Sequence, residues 1–288
     1  MMRFDSLEVY ENRKLARIQM KKDECEKLEG REQMEALLDV AYEYSYFDSD
    51  STISTLKIVA KMASDASDNY MEVKTAIRIS RILTTLGYYK ESSDIIDSIN
   101  RKSIPRPLLF EYFEAKEFLC YELFHVDGSR LEFQDMYEEK YRSYMDSVIL
   151  YAPGDSEFGL RSREKKALIL NDYDYAMQCN RKRMELAPEG SIAESFVFYE
   201  RNLIYEKMGG NEEECLYCLL RAAIIDLENS NQDVAAFTKI SYMLRNSVDA
   251  GILEKFSEYS YSSMIKFRSR TRRILGMDVI VETDRLLR

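Results

Sequence analysis

The sequence predicts an all-α fold in which antiparallel helix pairs stack into a right-handed helical-repeat solenoid, and three observations carry that prediction. A helix-turn-helix unit recurs in altered letters: Leu86-Gly87-Tyr88-Tyr89 leading to Ser92 and Ile96, Asn171-Asp172-Tyr173 leading to Ala176 and Pro188, and Gly210-Asn211 leading to Cys215 and Ala222. Only 4 Pro and 10 Gly occur, too few for the many tight turns of an all-β protein. Segment after segment spaces its apolar residues at i, i+3, i+4 and i+7, the stripe of a half-buried helix. No stretch alternates with period two for long enough to make a strand, and Val279-Ile280-Val281 is too short.

Taken in order, Leu7 to about Glu29 is dense in Lys, Arg and Glu with Leu7, Tyr10, Ile18 and Cys25 as sparse apolar points, which predicts an exposed N-terminal helix. Gln33 to Tyr46 forms the next helix, Phe47-Asp48-Ser49-Asp50 turns, and a partner carries Ile53, Leu56, Val59 and Ala60. Asn69 and Glu72 make a capping box, amide and carboxylate each satisfying orphan backbone donors. Val73, Ala76, Ile77 and Ser80, then Ile79, Ile82, Leu83 and Leu86, form the buried stripes of that helix; Gly87 permits the turn and the partner runs to about Asn100. Pro105 and Pro107 punctuate the array before an aromatic helix with Phe110, Phe113, Cys120, Tyr121 and Phe124, which ends at His125-Val126-Asp127-Gly128. Leu131 to Tyr151 follows, closed by Pro153-Gly154. Ser191 with Glu194 is a second capping box, followed by Phe196, Tyr199 and Leu203 and stopped by Gly209-Gly210. Asn211 with Glu214 caps a helix striped by Leu216, Leu219, Leu220, Ala223 and Leu227; Ser230 caps one bearing Phe237, Ile240 and Leu244; a last helix from about Ile252 carries Phe256, Tyr259 and Phe267.

Composition narrows the class of protein. With 288 residues, 45% hydrophobic and 32% charged, the chain can bury a core without metal or disulfide help and is too apolar for global disorder. A net charge of −10 argues against nonspecific nucleic-acid binding by this segment. No apolar run approaches the length of a membrane span, and Met1-Met2-Arg3-Phe4-Asp5 turns polar at once, unlike a secretory leader. Five cysteines, scattered and odd in number, imply no disulfide framework.

The small residues Ser92, Ala176 and Cys215 each fall five positions after a turn residue, where two antiparallel helices touch, and Thr52 after Phe47 is a fourth instance. Small contacts of this kind, with Ala222, Ala223 and the unit-closing Pro188, are tetratricopeptide-like. The pattern is degenerate: the chain has no Trp, and Arg163-Glu164 stand where Leu-Gly is usual. More narrowly, Phe4-Asp5-Ser6-Leu7 with Tyr10, Lys14 and Arg17-Ile18, Tyr44-x-x-Phe47-Asp48 before the Asp50-Ser51 helix, Asp233 to Leu244, Tyr259 to Met264, and Phe267-Arg268-Ser269-Arg270 with Ile274-Leu275 carry a resemblance over nearly the whole chain. It resembles the N-terminal sensor region of tetratricopeptide-containing transcriptional regulators of the Bacteroidetes. Such regulators join a signal peptide, a periplasmic repeat region, one membrane-spanning helix, a coiled segment and a cytoplasmic DNA-binding end. The resemblance implies that this chain is the periplasmic sensing portion of a membrane-anchored protein, touching the membrane only through regions outside it.

Few constellations suggest chemistry. Cys215-Leu216-Tyr217-Cys218 spells CxxC, yet Cys215 lies on the small contact position of a helix and reads as core. Asp48-Ser49-Asp50-Ser51-Thr52 imitates the start of a calcium loop, but Ile53 replaces the required glycine, so helix capping explains it better. His125 is the only histidine and sits at a helix end, where a cationic ring complements the dipole. Lys266-Phe267-Arg268-Ser269-Arg270-Thr271-Arg272-Arg273 is the one dense basic run; solvated surface, anionic lipid or partner contact, and nucleic acid all stand as readings, the first being the ordinary one. The chain holds 21 Tyr and 13 Phe; Tyr112, Tyr121, Tyr137, Tyr141 and Tyr144 either pack the core or line a concave groove for a peptide, tyrosine offering rigid area with a hydroxyl.

The expectation is therefore a noncatalytic scaffold with no cofactor, no metal and no catalytic residues. Residues 1–30 form a charged helix on the array, 31–265 the degenerate repeats, and 266–288 a basic helix or tail leading towards membrane and output regions. Its ligand is a protein or peptide, and self-association is allowed. The alternative is a soluble cytoplasmic adaptor or co-chaperone-like interaction protein.

Overall fold

Within each compact unit, short connections fold successive helices back on one another. The structure, a computed structural model, describes residues 6–125, 133–210, 212–231 and 235–244, with 251, 255, 258 and 259. Among the described residues it contains α1 (Leu7–Cys25), α2 (Gly30–Tyr44), α3 (Ser49–Asp65), α4 (Asn69–Leu86), α5 (Tyr89–Ser98), α6 (Leu109–His125), α7 (Gln134–Tyr151), α8 (Glu157–Ile169), α9 (Tyr173–Leu186), α10 (Ile192–Lys207), α11 (Glu212–Glu228) and α12 (Ala235–Leu244), and no strand. The all-α helical-repeat class read from the sequence is the class observed. Two single-turn 3-10 helices, Arg101–Ser103 and Arg106–Leu108, bridge α5 to α6 around the two prolines. The basic run from Lys266 to Arg273, the strand-like Val279-Ile280-Val281, Phe256, Phe267 and Asn211 lie outside the described residues.

The chain divides into two compact units. One gathers Met1–Met20, Glu43–Ser49 and Asn171–Arg288; the other gathers Lys21–Tyr42 and Asp50–Leu170. In the second unit, Met34 of α2 meets Val59 and Ala63 of α3 and Met71 of α4. A larger cluster there joins Val73 and Ile77 of α4, Ile96 of α5, Tyr112, Phe113 and Leu119 of α6, and Val148 of α7. In the first unit, Phe198 of α10, Leu219 and Ala222 of α11, Phe237 and Ile240 of α12, and Tyr259 share one core, with Leu7 packed against it.

The small contact positions behave as the sequence predicts: Ser92, Ala176, Cys215 and Thr52 are all buried. At Ser92 the reason is visible. Its Oγ lies 2.9 Å from Ser80 Oγ and 2.7 Å from Thr84 Oγ1, so α5 crosses α4 over three hydroxyls with no room for a longer side chain. Gly87 takes the left-handed backbone (φ 84) that ends α4, and its N–H and that of Tyr88 cover the carbonyls of Thr84 and Leu83.

Several terminus assignments are corrected. The cap of α4 is Asp68, not Asn69: the Asp68 carboxylate accepts the Met71 N–H at 3.2 Å, and the Asn69 amide instead donates to the Ser103 carbonyl. An ionised carboxylate bound by Arg31 is the stronger acceptor there, with both Arg31 bonds to Asp68 at 2.7 Å. Ser191 does accept from Glu194 N–H, but Glu194 reaches one residue further out, to the Gly190 N–H at 2.6 Å. Ser230 does not start a helix. With φ 51 it closes α11, its N–H on the Leu227 carbonyl. The left-handed residue after α10 is Gly209, and Gly210 follows because a Cβ there would sit 2.9 Å from the Tyr205 carbonyl.

Two apolar stripes also shift. On α10 the deeply buried residues are Val197, Phe198 and Ile204, while Phe196, Tyr199 and Leu203 are half-buried. That helix packs against both α9 and α11, so more than one stripe is covered. On α11, Leu220 is exposed although Leu216, Leu219, Ala223 and Leu227 are covered.

Candidate functional site

Alternate helices of the second unit bring a row of charges together. Arg78 and Arg81 on α4 meet Glu111 and Glu114 on α6 in the same order, one turn apart on each helix, so α4 and α6 run parallel. The Arg78–Glu111 pair is 3.0 Å long. One turn further on α6, the deeply buried Glu117 accepts from Lys165 of α8 at 2.8 Å. Arg81 also lies 5.5 Å from the Phe118 ring centroid. Each carboxylate sits deeper than its cation, so partly exposed basic side chains are balanced by acids from below. Glu114 and Glu117 break no burial rule, because each holds an oppositely charged partner.

The tyrosine cluster lies on α6 and α7 of the same unit. Tyr112 and Tyr141 are interior, 5% and 7% exposed, Tyr137 and Tyr144 are half-buried, and Tyr121 stands at the surface. Tyr121 and Tyr141 meet at a tilt of 54° with centroids 5.5 Å apart. Lys116 runs between the rings of Tyr112 and Tyr144, 5.3 and 5.4 Å from their centroids, and donates to Asp97 at 2.6 Å. Burial alone lowers the affinity of Lys116 for its proton, but the Asp97 hydrogen bond, together with the influence of Tyr112, Tyr144 and the Asp97 charge, outweighs it and holds the ammonium above the usual lysine range. Asp97 responds in the opposite sense: partial burial pushes it up, and the bonds from Lys116 and Ser93 more than offset that, leaving it below the usual carboxylate range. Burial pushes the Tyr141 phenol up, with Glu117 adding to the shift, so the phenol stays neutral.

Among the described residues, the groups singled out as able to do chemistry lie apart. His125 is exposed, its Nδ1 2.8 Å from the Tyr121 carbonyl and its ring 4.1 Å from that of Tyr121. Cys215 and Cys218 are both buried free thiols, and burial pushes Cys218 up to about 11, the reverse of a nucleophile or metal ligand. Ser49 and Thr52 of the calcium-like segment are buried at the start of α3. Among the described residues no cluster of His, Cys, Asp or Glu could hold a metal ion. The charge row is what sequence reasoning missed. Its signal was present as Arg78 and Arg81, then Glu111 and Glu114, at matching spacing, but only the pairing of alternate helices says that they meet.

Paired helices of graded burial, with small side chains at their crossings, define a helical-repeat scaffold of the tetratricopeptide class. Such domains generally mediate protein–protein interaction and are generally noncatalytic. More specifically, the family model described as the SusR N-terminal TPR domain matches residues 4–275, and the chain belongs to that family. No curated protein sequence matches it. Among the described residues, no helix is long and apolar enough to cross a membrane.

Proposed function

We propose that the chain is the sensing portion of a membrane-bound transcriptional regulator, held on the periplasmic side, and that it works by binding a protein or peptide rather than by catalysis. The observation that carries the binding part is the row Arg78–Glu111, Arg81–Glu114 and Lys165–Glu117, whose cations are 37%, 27% and 28% exposed over more deeply set carboxylates. A held guanidinium with outward N–H groups recognises backbone carbonyls and carboxylates without losing much further entropy. Tyr121, Tyr137 and Tyr144 would add apolar area beside it, with Tyr112 and Tyr141 as the packed layer behind. For binding to signal anything, the ligand must favour one state of the array or of its assembly.

The regulatory and compartment parts rest on the SusR family match alone. A random peptide display selected on the chain, then rescored on Arg78→Glu/Arg81→Glu, tests the surface; binders indifferent to the double charge reversal would remove it. Protease accessibility of an epitope-tagged full-length protein in intact spheroplasts tests the compartment. Protection equal to that of a cytoplasmic marker would transfer the chain to the adaptor class.

A further inference from the structure

In the first unit, Arg201 on α10 and Arg221 on α11 stand around one aromatic ring, with Arg181 of α9 within electrostatic reach of Tyr205 on α10. The guanidinium carbons of Arg201 and Arg221 lie 5.8 and 5.5 Å from the centroid of the same ring, Phe198, which is itself buried. The exposed Tyr217 meets Phe198 edge-on at 6.2 Å, and exposed Leu220 lies one turn further along α11. Arg181 and Arg201 both act electrostatically on Tyr205, opposing the upward push of burial and of Glu214.

These arginines differ from the charge row of the second unit in what holds them. Arg201 donates its Nε to the amide oxygen of the fully buried Asn180 at 2.7 Å, and Asn180 is itself fixed on the Val197 carbonyl. Neither Arg181 nor Arg201 forms an ion pair with a described carboxylate. Among the described residues Arg221 pairs only with Glu194, at 3.9 Å, and its Nε lacks an acceptor. On a chain of net charge −10 this is a pre-positioned and under-neutralised cationic surface with an apolar border.

We propose that this face of α9, α10 and α11 docks an acidic polypeptide segment of another protein. Arg201 and Arg221 take its Asp or Glu carboxylates as two-pronged donors, Arg181 adds long-range attraction, and Tyr217 and Leu220 receive an apolar side chain beside the acids. An Arg fork stacked on a ring has already lost the side-chain freedom that binding would cost, which suits it to planar carboxylates. The proposal is independent of the surface on α4, α6 and α8, and its test uses different residues.

The test is fluorescence anisotropy of the full chain with a labelled ~12-residue peptide of Glu and Leu, beside its Gln counterpart and, as separate probes, anionic phospholipid vesicles and duplex DNA. The expected result is saturable binding of the Glu peptide that weakens with salt, no binding of the Gln peptide, and a loss of about tenfold in Arg201→Gln/Arg221→Gln. Arg201→Lys/Arg221→Lys should fall between, since it keeps charge and loses the fork. Lys90→Gln, an exposed site on α5, should bind as wild type. Arg181→Glu, at an exposed position, supplies the same reading should the double variant melt early. Equal binding of the Gln peptide, no binding of either peptide, or an unchanged affinity in both Arg201→Gln/Arg221→Gln and Arg181→Glu overturns the proposal. Tighter binding of vesicles or DNA than of the Glu peptide, lost in the same variants, overturns it in favour of that polyanion.

Discussion

The crossing of α4 with α5 and the crossing of α9 with α10 both bury polar atoms, and they do so in opposite ways. Within the α4–α5 hairpin, Ser80, Thr84 and Ser92 are fully buried and share their hydroxyl hydrogens over contacts of 2.7 and 2.9 Å. Between α9 and α10, the buried groups are long: Asn180 on the Val197 carbonyl and Arg183 on Glu200 at 2.6 Å. The first crossing follows a turn of two residues, so the backbones are close from the start and only short side chains fit. The second joins the outgoing helix of one pair to the incoming helix of the next across the longer connection 187–191, and a guanidinium is buried there. Small polar groups thus fix the hairpin, while long ones fix the step from hairpin to hairpin.

The largest effect expected from this comparison is at Arg183. Arg183→Ala leaves Glu200 with a buried charge and a cavity, and should cost about 3–5 kcal/mol in urea unfolding. Arg183→Met/Glu200→Leu removes both charges while keeping volume, and should recover most of that loss, because a buried pair gains little over apolar packing. Equal destabilisation in the single and double variants would mean that shape, not charge, holds this step. At Ser92 the order reverses. Ser92→Leu should cost about 1–3 kcal/mol by forcing the helices apart. Ser92→Ala should cost only about 1 kcal/mol, since Thr84 keeps the Ser80 carbonyl at 3.0 Å and Ser80 keeps the Ser92 carbonyl at 3.2 Å. A Leu variant as stable as the Ala variant would show slack at the crossing.

The same contrast explains what the sequence could reveal. Ser92, Ala176, Cys215 and Thr52 were legible because a hairpin crossing demands a small residue at a fixed distance from its turn, a constraint local in the chain. Arg183 was not, since nothing in its neighbourhood says that Glu200, beyond the next turn, will cover it. The charge row on α4, α6 and α8 and the arginines around Phe198 were hidden for the same reason: they depend on which helices become neighbours. The tyrosines were legible as a group but not singly. Tyr137, Tyr141 and Tyr144 all lie on α7, and only its packing on α6 decides that Tyr141 goes inside. Caps misled by one residue at Asn69 because Asp68 has a second, distant ligand in Arg31.

Turns sharpen the comparison at an intermediate scale, because they set how close the helices start. Gly87→Ala must hold a side chain at φ 84 and should cost about 1–2 kcal/mol, read as a lower urea midpoint with unchanged slope. Gly210→Ala meets the Tyr205 backbone carbonyl at 2.9 Å rather than a strained φ, so the end of α10 must shift to admit it and a loss of similar size is expected. A clearly smaller loss at Gly210 than at Gly87 would mean that the end of α10 gives way more easily than the α4–α5 turn.

The smallest effect concerns a polar contact that belongs to neither crossing, Asp97 with Lys116. The Asp97 carboxyl is held below its ordinary value, so its contribution is present above about pH 4 and is lost as pH falls through the lowered folded value. Lys116 is held above its ordinary value, so its contribution is present below about pH 10 and is lost as pH rises through the raised folded value. The pair therefore stabilises across the whole neutral range. Asp97 is half exposed, and water screens much of the attraction, so Asp97→Asn should lower the melting temperature at pH 7 by no more than about 3 °C. The gap between wild type and variant should then close as pH is lowered towards 3, because the wild-type carboxyl becomes neutral as well. A gap that persists unchanged at low pH would mean that the Tyr112 and Tyr144 rings, rather than the carboxylate, hold Lys116 in place.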